Sequence, residues 1–71
     1  MRIIYSVHSL ITYIRVVDAE GHHKVVGDIY KERYGWSFNF APELPIKNGW
    51  RPTYGKAKAV SARRIKKAMK P

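Results

Sequence analysis

The sequence predicts an α+β domain: a small three-stranded antiparallel meander sheet packed against a C-terminal amphipathic helix, in the order βββα, with room for an extra N-terminal edge strand. Three observations lead there. β-Branched and aromatic residues crowd the first half of the chain and are divided by polar, glycine-containing turns. Trp36, Phe38 and Phe40 alternate with Ser37 and Asn39, the period-2 signature of a half-buried strand whose aromatic face dominates the core. A run rich in Ala, Lys and Arg then closes the chain, free of proline between Pro52 and Pro71.

Each element can be justified in turn. Residues 3–17 alternate on both registers and make too long a strand for so small a domain, so a bulge, bend or break is expected near His8 and Ser9. That leaves a leading edge segment and a main strand around Leu10 to Val17. Asp18 to His23 is polar and holds Gly21, as a tight hairpin requires. Lys24 to Lys31 is the second strand, and Gly27 within it leaves space for a large neighbouring side chain. Glu32 to Gly35 is a turn, and the aromatic strand follows. Pro42, Pro45 and Pro52 with Asn48-Gly49 mark residues 41–52 as a loop without regular structure, pinned to the body by Ile46 and Trp50. Thr53 is a suitable N-cap for a helix over residues 53–70. At about 100° per residue, Ala57, Val60, Ser61, Ile65, Ala68 and Met69 share one side of it. Small residues at Ala57 and Ser61 let it lie close to a sheet.

With 71 residues the chain suits one domain, read as a β body over 1–41, a proline-rich loop over 42–52 and the helix. A core of this size leaves little scope for a large enclosed active site. There is no cysteine, so disulfides and thiolate metal sites are excluded. Arg2, His8 and Arg15 interrupt the apolar stretch from Met1 to Val17, and no small-residue cleavage site follows it. The expectation is a soluble, cytoplasmic protein that engages no membrane.

Charge is the main functional signal. Residues 1–43 hold five acidic and five basic side chains, whereas the remainder holds nine basic ones and no acid, so the whole net charge of +9 lies in the last part of the chain. Lys56, Lys58, Arg63, Arg64, Lys66, Lys67 and Lys70 belong to the helix, with Lys47 and Arg51 in the loop before it. A neutral body joined to a cationic end repels itself until an anion meets it. Phosphates are the expected anion, and five to seven engaged cations give a log–log salt slope of roughly −4 to −6. Arg33, Tyr34 and Asn48 are candidates for base or partner contact, beside Asn39.

Other chemistry has less to stand on. His22 and His23 are adjacent and point to opposite faces of an extended segment, so no metal site is expected, and no cofactor. Asp18 and Glu20 belong to a solvated turn rather than an acid–base pair. The five glycines are isolated and form no phosphate loop. The aromatic strand is core rather than a stacking platform, and the open face of the sheet is left for some of the tyrosines.

In element order the chain resembles the three-stranded DNA-binding domains of phage and transposon integrases, and the last four elements of double-stranded-RNA-binding domains. Gly55-Lys56-Ala57-Lys58-Ala59 is similar to the lysine-rich helix start of the latter group. Gly21-His22 resembles the hairpin of small toxins of related fold, in which a glycine-rich turn presents a catalytic histidine. No residue's role is carried over from these likenesses. The leading reading is a non-enzymatic, nucleic-acid-binding accessory protein, monomeric or homodimeric. The alternatives are a phage-type inhibitor or adaptor that docks its basic helix or open sheet face on an acidic protein surface, and an RNA-cleaving toxin using His22 or His23 with Arg33 and Tyr34.

Overall fold

The computed structural model describes residues 1–69, and Lys70 lies outside the described residues. The chain forms β1 (Arg2–His8), β2 (Ile11–Val17), β3 (His23–Glu32), β4 (Gly35–Phe40), β5 (Gly49–Arg51) and α1 (Tyr54–Ala68). The strands make one antiparallel meander in the order β1-β2-β3-β4-β5. The α+β class is as the sequence predicts, but the sheet has five strands, not three.

One of the two extra strands arises at the anticipated break. Ser9 and Leu10 form a two-residue turn between β1 and β2, with Ser9 at φ 58°, the positive value that a tight primed turn needs at its first position. The other extra strand, β5, corrects the reading of residues 41–52 as wholly irregular. Pro45 and Pro52 both fall outside Gly49–Arg51, so neither removes a donor from the ladder with β4. Asn48 supports that ladder, its side-chain oxygen accepting the Phe40 N–H at 2.9 Å. Trp50 is part of β5 and 43% exposed, its indole lying against Gly35 of β4, while Ile46 and Leu44 pack against the core.

One face of the sheet carries the core. Ile14, Val26, Ile29, Phe38 and Ile65 are fully buried, with Val16, Phe40 and Ala57 beside them. Phe38 is the largest of the wholly buried side chains, which bears out the aromatic strand as core. A bulge between Ile14 and Arg15 shifts the β2–β3 register. Gly27 serves close packing as expected: a Cβ there would strike the Asn39 carbonyl and stand 3.1 Å from the Phe40 ring.

The helix lies across this face nearest β4 and β5. Thr53 caps it, its hydroxyl accepting the Lys56 N–H at 3.3 Å. Ala57, Ser61 and Ile65 are its buried residues, so the small side chains at 57 and 61 do set the approach. The Ser61 hydroxyl is satisfied by the Lys58 carbonyl at 2.8 Å. Two further polar links bind helix to sheet. Buried Thr12 shares a hydrogen bond with the Tyr54 hydroxyl at 3.1 Å, and the Tyr5 hydroxyl donates to the Lys58 carbonyl at 3.3 Å. Among the described residues no helix covers the opposite face of the sheet. Among the described residues no helix is long and apolar enough to cross a membrane.

Candidate nucleic-acid interface

The helix geometry sorts the basic residues into two groups. Lys56, Arg63, Lys66 and Lys67 are exposed, on the side away from the buried Ala57, Ser61 and Ile65. Lys56, Arg63 and Lys67 fall within about 40° of one another on the helix wheel and run along its crest for about 16 Å. No acidic residue lies in the first turn to balance them. Among the described residues the ion pairs all involve His22, and none involves a lysine or arginine.

The second group is engaged by the fold. Arg64 turns off the crest: its guanidinium donates to the carbonyls of Lys47 at 2.9 Å and Asn48 at 3.3 Å, and its centre stands 5.2 Å from that of the Phe38 ring. It closes the loop before β5 onto the helix. Arg51 reaches the same ring at 5.8 Å and donates to the Trp50 carbonyl at 2.6 Å. The Lys58 ammonium sits 4.6 Å from the Tyr5 ring centre, a partner for a cation that helical spacing sets on the packed side of α1.

Between loop and helix lies an open cleft of about 440 Å³, lined by Pro45, Ile46, Lys47, Arg64, Lys67 and Ala68. Lys47 is exposed at its rim. The structure therefore brings Lys47 to Lys67 and so joins the loop to the crest, a link that depends on chain reversal and not on helical spacing.

Arg33 and Tyr34 are elsewhere, in the β3–β4 turn, where the guanidinium lies 5.3 Å from the Tyr34 ring centre. With Glu32 and Trp50 they line a cleft of about 540 Å³. Trp50 is the lining residue that sequence reasoning did not assign to this cleft. Its indole packs against Gly35, where a Cβ would approach it to 2.5 Å, and Gly35 is the one local signal of that contact. Asn48 is not in this cleft, and its side-chain oxygen is engaged by β4.

The β2–β3 turn is a local polar assembly. Asp18 accepts the N–H groups of Glu20 and His22 at 2.9 Å each, and His22 Nδ1 lies 3.2 Å from Asp18 and 3.5 Å from Glu20. Hydrogen bonding, led by the His22 N–H, holds the Asp18 carboxyl below its usual range. The three side chains converge, but all are exposed and the backbone turn accounts for them. His23 stands apart as the first residue of β3. On the open face, Asp28 Oδ1 and Arg15 Nε are buried without a hydrogen-bond partner among the described residues.

Comparison with models of protein families, with curated proteins and with solved structures finds no match to this chain. The functional reading therefore stands on charge and geometry.

Proposed function

We propose that this protein is a non-enzymatic nucleic-acid-binding protein that grips the phosphate backbone with the outer crest of α1. The observation that carries this reading is the cation line Lys56, Arg63 and Lys67, without ion pairs among the described residues, flanked by Lys66 and joined to Lys47 across the cleft. Protein-docking surfaces are apolar at their centre and depleted of charge there. The crest has the reverse character, with lysines and arginine at its middle and only Ala59 and half-buried Val60 between them. Phosphate is the partner that tolerates such a surface, and a line of cations suits its regular spacing.

Contacts of this kind position a duplex without reading its sequence. The expected affinity is that of non-specific binding, about 10⁻⁴ to 10⁻⁶ M at physiological salt. Arg33, Tyr34 and Trp50 offer a separate contact: two exposed rings and a guanidinium around a cleft that an unstacked base would fit.

Fluorescence anisotropy with labelled random duplex DNA and RNA tests the proposal. The variant Lys56→Glu, Arg63→Glu, Lys67→Glu should lose binding and keep the wild-type circular dichroism. Binding retained by that folded variant would remove the helix from the mechanism. Binding absent from the wild-type protein at low salt, together with capture by an acidic protein, would favour the docking alternative.

A further inference from the structure

The sheet has two edges, and they are treated differently. β5 is three residues long and is followed at once by Pro52, a short, blunted edge. β1 is seven residues long, Arg-Ile-Ile-Tyr-Ser-Val-His, with no proline, lysine or acid along it. Among the described residues, no backbone hydrogen bond reaches its outer side. Its one permanently charged residue, Arg2, is at the first position, and nothing from Ile3 to Val7 resists pairing with another strand.

The phase of that free edge follows from the turn. A two-residue turn makes His8 and Ile11 the hydrogen-bonded pair that closes the hairpin. Alternation then points the backbone groups of Ile4, Ser6 and His8 toward β2 and those of Ile3, Tyr5 and Val7 outward. The side chains of Ile3, Tyr5 and Val7 share the helix-bearing face, yet Val7 is 66% exposed while Ile3 and Tyr5 pack on the core.

We propose that β1 pairs with β1 of a second copy in antiparallel register centred on Tyr5, giving a two-fold dimer with one continuous sheet. The strand is self-complementary in this register. Ile3 meets Val7 of the second copy, Tyr5 meets Tyr5, and Val7 meets Ile3, each an outward-facing pair that exchanges two hydrogen bonds. Exposed Val7 gains an apolar neighbour, and no acid or lysine is placed opposite a like charge. On the other face Ile4 lies opposite Ser6. Tyr5 can take the central position because its own side chain is tied down to the Lys58 carbonyl.

An antiparallel edge-to-edge pair has its two-fold axis perpendicular to the sheet. Both helices therefore stand on the same side, and the two cationic crests share one face. The two Lys58 ammonium groups, each above its Tyr5 ring, flank the axis. Their mutual repulsion is screened by salt, so the dimer tightens as salt rises, the opposite of what phosphate binding does.

Sedimentation equilibrium of the full chain, without nucleic acid and from low to high salt, reads the proposal independently of any nucleic-acid binding. The expected species at high salt has twice the 8.2 kDa chain mass, populated across micromolar to millimolar protein. Val7→Lys, at an exposed site, should return the monomer with unchanged circular dichroism. Because the chain has no cysteine, the double variant Ile4→Cys, Ser6→Cys should form an oxidised, covalent dimer through the cross-strand pair of this register. A wild-type monomer at every concentration, a dimer that survives Val7→Lys, or a dimer whose cysteine variant does not cross-link would each overturn the proposal.

Discussion

Arg63 and Arg64 are adjacent in sequence, one exposed on the crest and the other bonded to the loop, and their paired alanine substitutions separate the fold from the proposed binding. Arg64→Ala removes the bonds to the Lys47 and Asn48 carbonyls and the contact with the Phe38 ring. A hydrogen bond to a charged group contributes about 1.5–3 kcal/mol, and the half-exposed site favours the lower end. The cation–π contact adds about 0.5–1 kcal/mol, for a total near 2 kcal/mol. At about 4–8 °C per kcal/mol for a domain of this size, Tm should fall by about 10 °C. Arg63→Ala deletes an exposed side chain with no hydrogen bond or ion pair among the described residues, so stability should stay within about 0.5 kcal/mol. Urea unfolding followed by tryptophan fluorescence measures both. In anisotropy titrations at a temperature where each variant is folded, Arg63→Ala should be the one that weakens binding. Equal stability of the two variants, or a destabilised Arg63→Ala, would refute the division of roles.

Three further outcomes test the framework. Gly49→Ala sets a methyl group 2.5 Å from Phe38 Cζ and 3.1 Å from the Arg64 guanidinium, so it should cost about 1–3 kcal/mol in a denaturant titration by overpacking β5 against the Phe38 ring. Burial raises the Tyr5 phenol above its ordinary value, a raised value that contributes stability below the unfolded-state pKa and loses it as pH climbs through the folded one. An ultraviolet pH titration should show Tyr5 ionising above the ordinary tyrosine value, a phase absent from Tyr5→Phe. Asp18 has the opposite sign: its lowered value favours the folded turn above the ordinary carboxylate pKa, and that contribution fades as pH falls through the folded value. The Glu20 and His22 amide resonances should report this step, and Asp18→Ala should abolish it.

Much of this fold is written locally. Strict alternation at Trp36, Phe38 and Phe40, the Gly21 hairpin and the Thr53 cap each depend on a few neighbouring residues, and each forms as expected. The break at Ser9 was legible because no domain this small holds an uninterrupted strand from residue 3 to 17. β5 was not, because three residues between prolines have no periodicity and owe their pairing to β4 and Asn48. The site divides in the same way. Helical spacing places Lys56, Arg63 and Lys67 on one crest and Lys58 off it, but it does not show what Arg64 and Lys58 touch. Only the loop carbonyls and the Phe38 ring withdraw Arg64, and only β1 supplies Tyr5 beneath Lys58. Lys47 reaches the cleft beside Lys67 through a chain reversal that composition does not encode.

The salt dependence of duplex binding tests the central claim most directly. Lys56, Arg63, Lys66 and Lys67, with Lys47 at the cleft, are the exposed cations that the proposal assigns to phosphate. At about 0.9 per phosphate contact, four to five contacts give a log–log slope of roughly −3.6 to −4.5, shallower than a count of every basic residue implies. Replacing Lys56, Arg63 and Lys67 together by alanine should make the slope shallower by about 2.7. A wild-type slope near zero, or one unchanged in that variant, would contradict the assignment of α1 as the phosphate-binding surface.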